Sequence, residues 1–522
     1  MHANPILWAD FPDPDVIRVD DCWYMVSTTM HMMPGCVILR SFDLIHWETC
    51  THVYDVLDGT PAQRLEGDRH IYGQGMWAAT IRHHAGRFFI VFVANDTHRT
   101  YLFTAADIRG PWEKRHIEGF YHDCSLLFDD DGRTYLVHGN TDIRLVELAD
   151  DLSGPKPGGV DQVIIRDTEP FFLGYEGAHC YKIGGRYHVF LIHIAKGGHA
   201  RRTEAWFSAD AVTGPYTGGD ILDDDMGWCN SGVAQGGIVD TPDGRWFGML
   251  FQDHGAAGRM PVLVPMRWEN GRPVFGIDGK VPTVIDNPST RPDHMYAPLF
   301  GSDDFRYASD ARGRVRLKDF WQWNHQPDDA LWSVDGASGT LHIRTGKISP
   351  NVHHAVNTLT QRTFGPICEA RVTVDGSALR IGDVAGLCLL IGTYGLVGLE
   401  RTTDGYRVVM EAKSSRKSDI FENHVDGLAG ERVGEPVPCG PCVTLRAVCD
   451  FREGRDTVSF AVLEGAGWKP VGSAHTLHYR LDHFMGCRFG LFVQATRNTG
   501  GTGVFSDFAY VGPEEVDAVQ HM

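Results

Sequence analysis

One hairpin, written five times, constrains this chain more than any other feature. A turn ending in Gly or Asp leads into a short strand rich in aromatic and β-branched residues. The copies read Asp21-Cys22-Trp23-Tyr24-Met25-Val26, Gly86-Arg87-Phe88-Phe89-Ile90-Val91, Gly132-Arg133-Thr134-Tyr135-Leu136-Val137, Gly185-Arg186-Tyr187-His188-Val189-Phe190 and Gly244-Arg245-Trp246-Phe247-Gly248-Met249. Each has the chemistry of a tight turn and a returning strand. A second signature follows several of them: Ser41-Phe42-Asp43-Leu44 ahead of Trp47, Ala106-Asp107-Ile108-Arg109-Gly110-Pro111-Trp112, and Ser208-Ala209-Asp210 ahead of Gly214-Pro215-Tyr216. Together they outline a unit of about four short strands over roughly 45 to 65 residues, the size of a propeller blade. A solenoid would repeat at a shorter and more regular period. The expected fold is therefore all-β, with a five-bladed β-propeller over residues 1–290.

The text changes after the fifth copy. Asp286-Asn287-Pro288-Ser289-Thr290-Arg291-Pro292-Asp293 reads as a linker. Beyond it strand-like alternation continues without the blade signature, as in Ala370-Arg371-Val372-Thr373-Val374 and Thr457-Val458-Ser459-Phe460-Ala461-Val462. This pattern predicts a β-sandwich, concanavalin-like or jelly-roll, over residues 303–522. Phe320-Trp321-Gln322-Trp323 near its start suits a buried core better than a sugar platform.

Composition narrows the partner. Lys plus Arg number 48 against 67 Asp plus Glu, a net charge of -19 that repels nucleic acid and anionic membrane and favours a neutral ligand. The 27 Phe, 16 Tyr and 13 Trp suit aromatic-lined sugar sites. No apolar run reaches membrane-spanning length. The opening Met-His-Ala-Asn-Pro-Ile-Leu has neither a basic nor an apolar signal region, so a cytoplasmic location is expected. The 12 cysteines are scattered, consistent with reduced thiols; Cys439-Gly-Pro-Cys442 has dithiol spacing but lies in a Gly/Pro turn with no βαβ pattern around it.

The chemistry concentrates just upstream of the hairpins. Ala9-Asp10-Phe11-Pro12-Asp13-Pro14-Asp15-Val16 packs three aspartates and two prolines ahead of the first strand. The prolines stiffen the backbone, although Asp-Pro pairs also make plain turns. Corresponding places hold Trp77-Ala78-Ala79, Asp123, Glu176 and Gln235. First strands line a propeller's axis, so these side chains should converge. An unpaired buried carboxylate is costly, and three in register point to work.

These residues resemble glycoside hydrolase family 43, the inverting β-xylosidases and α-L-arabinofuranosidases. Asn4-Pro5-Ile6-Leu7 with Phe11-Pro12-Asp13-Pro14-Asp15 is similar to its N-terminal strand, and Met76-Trp77-Ala78 to its blade-two motif. His122-Asp123-Cys124-Ser125-Leu126 resembles its Asp-Pro-Ser motif, Tyr175-Glu176-Gly177-Ala178-His179 its Glu-Gly-Pro-His motif, and Gly258-Arg259 its late arginine. Inverting hydrolysis needs one carboxylate to activate water and one carboxylic acid to protonate the leaving oxygen. The resemblance and that chemistry together assign Asp13 as base, Glu176 as acid and Asp123 as the third carboxylate that positions the acid and raises its pKa. They also imply Arg259 as a sugar-binding cation, Trp77 and Met33 as apolar walls, and His179 as a group that orients Glu176 or packs beneath it. Rivals are Asp15 as base, on the same face as Asp13 if the strand is regular, and Glu204 as acid; the run Asp129-Asp130-Asp131 is expected to be solvated.

Cys124 and Ala178 stand where the family usually has proline. Some relatives hold a cation on the axis with a blade-five histidine; here that place is Gln235, a poor metal ligand, so no cofactor is required and a structural Ca2+ is left open. The implied activity is release of terminal β-D-xylose from small neutral oligosaccharides. An α-L-arabinofuranosidase and a non-catalytic sugar-binding propeller are the alternatives; a purely structural scaffold gives no reason for carboxylates on the axis.

Overall fold

The computed structural model describes residues 2–310, 315–414, 425–427 and 429–513; residues 514–522, the end of the expected sandwich, lie outside them. Five four-stranded antiparallel sheets follow one another along the chain. Their first strands are Asp15–Val19, Met76–His84, Ser125–Phe128, Phe171–Ile183 and Ala234–Asp240. Each first strand touches the next and the fifth touches the first, so the ring is closed. Every one turns back through one of the five hairpins. Apolar faces mesh between neighbouring blades, with Val26, Ile38, Ile90 and Phe92 between blades one and two, and Tyr135, Leu145, Val189 and Leu191 between three and four. His2–Ala3 pairs with Val284–Ile285, and the Asn4 amide donates to the carbonyls of Leu263 and Pro282, which ties the chain's start to the end of blade five.

The second domain is a sandwich of a seven-stranded and a nine-stranded sheet. Its core is built from residues such as Leu387, Leu389, Leu445, Phe489, Leu491 and Phe505. Trp321 and Trp323 are buried in it, so this aromatic run is core and not a platform. The edge strand of the larger sheet, Met32–Met33, comes from blade one and pairs with Gln322–Asn324, so the two domains share a sheet. The fully buried Gln322 donates to Pro34 O at 2.7 Å and accepts from Arg362 and Arg488 at 3.1 and 2.9 Å.

The segment read as a linker is strapped to blade one. Thr290 N–H donates to Phe42 O, Phe42 N–H donates to the Tyr296 hydroxyl, and the Glu48 carboxylate holds His294 and Ala297. Asp129 also departs from expectation. It is buried between blades three and four, accepting from Lys182 at 2.5 Å and from the Tyr187 hydroxyl at 2.6 Å, while Asp130 and Asp131 are exposed. At Cys439 and Cys442 burial raises both thiols, the opposite of what a redox dithiol needs.

Candidate active site

The backbone leaves strand geometry at one equivalent place in several blades. Asp13, Asp123 and Gln235 have φ of +51°, +47° and +60°, and in blade four Gly177 has +64°. The first strands of blades two, four and five also slip register here, between Met76 and Ala79, Glu176 and His179, and Ala234 and Gly237. A left-handed residue breaks the pleat and re-aims the side chains beside it; Asp and Gly tolerate this best. Strain repeated in corresponding positions is a mark of a functional site. Gly177 has a second reason to be glycine, since an added Cβ would lie 2.8 Å from the Gln235 side chain. The result is a ring of residues from blades one to five, Asp13, Ala78, Asp123, Gly177 and Gln235 among them, around a cavity of about 10 Å³, room for one water.

Two unlike acidic groups meet at this ring. Asp13 is buried and receives Arg259 Nη1 at 2.7 Å. Arg259 is buried too; its backbone N–H donates to Asp10 at 2.8 Å and its guanidinium lies 4.7 Å from the centre of the Phe484 ring. Asp123 and Glu176 form the other group, with His122 between them. His122 Nε2 is 3.5 Å from Asp123 Oδ2 and 3.5 Å from Glu176 Oε2. Burial pushes Asp123 up to about 7, with Glu176 and Asp13 adding to the rise and His122 opposing it. The same neighbourhood, Asp123 foremost, lifts His122 to about 9 against its own burial. Asn140 donates its amide to Glu176 Oε2.

Trp77 is half-buried, with its ring 5.6 Å from His122 and 5.4 Å from Phe484. Phe484 belongs to the sandwich, as does Tyr479, whose hydroxyl is buried without a hydrogen-bond partner and is raised to about 12 by burial. Arg202 completes this side, ion-paired to Asp253.

Not all expected residues join the site. Met33 is buried in the shared strand and packs into the core between blades one and two, which corrects its reading as a sugar wall. His179 lies below the acids, with Nδ1 3.0 Å from Gly177 O and Nε2 3.7 Å from Asp15, so it packs beneath. Gln235 lines the axial cavity and its N–H donates to Glu204. Glu204 is sealed at 1% exposure and pushed up to about 8 by burial. Asp15 is fully buried, held by Arg82 Nη1 at 2.7 Å and Ile81 N–H at 2.9 Å; the φ at Asp13 breaks the regularity that would have put both on one face.

His122, Asn140, Arg202, Tyr479 and Phe484 were not singled out by sequence. Only His122 carried a local signal, a titratable residue directly before Asp123.

The axial cavity is lined by the Asp13 and Asp123 carboxyl groups, the His179 imidazole and the Gln235 amide, but its volume of about 10 Å³ has room for one water and not for the six to eight oxygens calcium takes, so the site as it stands does not fit that ion. His122, Asp123 and Glu176 do converge, with ligand atoms within 4.8 Å of one another. With the imidazole raised to about 9 and the Asp123 carboxyl to about 7, the cluster can also share protons.

A five-bladed propeller whose mouth gathers carboxylates from blades one, three and four is the framework of a sugar-cleaving hydrolase. Residues 2–273 match glycosyl hydrolases family 43 and residues 314–511 match the beta xylosidase C-terminal concanavalin A-like domain, so the chain belongs to glycoside hydrolase family 43. It is 27% identical over 451 residues to a beta-xylosidase of Formosa agariphila, covering 76% of this chain and 74% of that protein. It is 25% identical over 432 residues to a non-reducing end alpha-L-arabinofuranosidase of Bacteroides ovatus, covering 79% and 78%. A solved structure of a bifunctional GH43-CE protein of Bacteroides eggerthii superposes with a TM-score of 0.88 at 39% identity, over 97% of this chain but 63% of that longer one.

Proposed function

We propose that this glycoside hydrolase releases a terminal pentose, β-D-xylose, from short xylo-oligosaccharides by single displacement with inversion. The observation that carries the reading is the division of the mouth into an arginine-paired carboxylate, Asp13, and a carboxyl pair, Asp123 and Glu176, that shares a neighbouring imidazole.

Asp13 takes a proton from water as the water oxygen bonds to the anomeric carbon. Arg259 holds the carboxylate in place and balances its charge until that moment. The bond to the leaving oxygen breaks as Glu176 gives that oxygen its proton. Asp13 is left protonated and Glu176 ionised, and exchange with solvent restores both. An inverting pair stands about 6.5–9.5 Å apart to leave room for the water. When ionised, Asp123 favours the protonated form of Glu176 by like-charge repulsion. Trp77, with Phe484 and Tyr479 from the sandwich, walls one side of the pocket, which favours attack at a chain end.

Arabinofuranose presents similar hydroxyls, and a relative bearing that activity in its name makes α-L-arabinofuranosidase the second reading. A binding-only propeller would be expected to lack one of the acids. A cytoplasmic location belongs to the same proposal, in which small imported oligosaccharides are the substrates.

Hydrolysis of aryl β-D-xyloside and aryl α-L-arabinofuranoside, measured side by side for the wild type and Glu176→Ala, tests this. Activity on the xyloside that collapses in the variant is expected. Preference for the arabinofuranoside would overturn the substrate, and a folded wild type that cleaves neither would overturn the enzyme reading.

A further inference from the structure

We propose that His122 is a positioning residue that, as an imidazolium bridging Asp123 and Glu176, keeps the ionised charge on Asp123 and the proton on Glu176. The inference rests on the reading of those two acids given above.

The division of labour between them is not secured by their own surroundings. Asp123 is the more buried, with side-chain exposure of 7% against 19% for Glu176. Desolvation disfavours the charged form, so a dyad holding one proton would place it on Asp123. That is the inactive arrangement, since the acid would then be ionised and the third carboxyl neutral. Burial does press Asp123 this way, and His122 opposes it most strongly, ahead of the Gly177 N–H.

The charged groups that face His122 come from three sides. Asp123 adjoins it, Glu176 reaches it from blade four, and Asp13 acts from the lead-in to blade one. His138 of blade three is a second imidazole, but burial holds it down at about 4, so it adds no cation near neutrality. Blade two presents the Trp77 ring, which carries no charge. Arg259 is engaged by Asp13 and Arg202 by Asp253. Arg202 still acts on Glu176 and Arg259 on Asp123, but His122 is the cation whose Nε2 lies 3.5 Å from both members of the dyad. Its single Nε2 stands equally far from both acids, so one N–H faces both, and on Glu176 it approaches Oε2, the same oxygen that accepts from the Asn140 amide.

The test is the pH profile of kcat/KM on aryl β-D-xyloside from about pH 4 to 10 for the wild type, His122→Phe, His122→Gln and His122→Lys, together with NMR titration of the His122 ring. Loss of the cation raises both acids and returns the proton to Asp123. His122→Phe and His122→Gln should therefore lower the peak at least about tenfold and move the acid limb up by about one pH unit, while His122→Lys moves the limb back. The His122 ring should stay protonated past pH 8 in the wild type and lose its proton at lower pH in Asp123→Asn. Variants that lose rate with both limbs unmoved would make His122 merely structural and overturn the proposal. So would His122→Gln with a wild-type profile, or a ring that titrates at or below 6.5. A wild type without activity but with a raised His122 titration would overturn the function and leave the imidazolium standing.

Discussion

Asp13 and Asp15 lie two residues apart, each paired to an arginine at 2.7 Å, and their settings differ. Asp13 stands at the open mouth of the axis, beside the aromatic wall and across from Asp123 and Glu176. Asp15 stands below, at 0% exposure, where Arg82 also donates to Ser125 Oγ and Leu126 O and lies 5.1 Å from the Tyr181 ring centre. Arg82 thus joins the first strands of blades one, three and four to its own in blade two, forming a plug, whereas Arg259 Nη1 engages a single oxygen of Asp13, Oδ1. An ion pair on a propeller axis is therefore not in itself a sign of catalysis. What separates the two is access and the backbone: Asp13 is at φ +51°, while Asp15 opens the regular strand.

The sharpest break between them should come from neutralising each in turn. Asp13→Asn keeps an acceptor for Arg259 but removes the base, so kcat should fall about 10³-fold or more while the thermal midpoint moves little. Asp15→Asn should do the reverse. It strands the Arg82 charge in the interior, costing about 3–5 kcal/mol and lowering the midpoint by on the order of 10 °C, with turnover per folded molecule near wild type. Calorimetry alongside single-turnover kinetics on both variants reads the crossing; equal effects on both properties would erase the distinction.

A smaller effect sharpens the same contrast through Arg82→Met. Combined with Asp15→Asn it removes the stranded charge, so the double variant should recover at least about 2 kcal/mol relative to Asp15→Asn alone. A double variant no more stable than Asp15→Asn would mean that the plug is held by packing and not by charge.

Glu204 gives the mildest test, because it is a buried carboxyl outside the mouth. Its folded value of about 8 lies above that of the unfolded chain, so its stabilisation is complete below about pH 4.5 and is lost as pH rises through 8. Glu204→Gln should remove this slope, gaining on the order of 1–3 kcal/mol at pH 9 relative to pH 5 while activity on the aryl xyloside is retained. Collapse of activity would bring Glu204 into the catalytic group.

The ring of blades was legible because its unit repeats. Five turns such as Gly86-Arg87 and Gly244-Arg245, each followed by aromatic and β-branched residues, leave few alternatives to a propeller. Asp13, Asp123 and Glu176 were legible for the same reason, each standing just upstream of its hairpin. The relation of Asp13 to Asp15 was not. Counting by pleat assumes extended geometry, and one left-handed residue invalidates the count. Met32–Met33 gave no hint of joining a distant sheet, because strand pairing depends on geometry across the domains and not on the two residues themselves. Phe484 and Tyr479 meet the mouth from the far end of the chain, where their neighbours read as ordinary sandwich sequence. Asp129 was masked by the exposed aspartates beside it, although its partners Lys182 and Tyr187 lie more than 50 residues away.

The central claim is that water activated by Asp13 displaces the leaving group in one step. It is tested most directly by proton NMR of the sugar first released from aryl β-D-xyloside, read before mutarotation. The account predicts that α-D-xylose forms first and that the β anomer appears only as the solution equilibrates. Initial release of β-D-xylose would mean retention through a covalent intermediate and would contradict the roles given to Asp13 and Glu176.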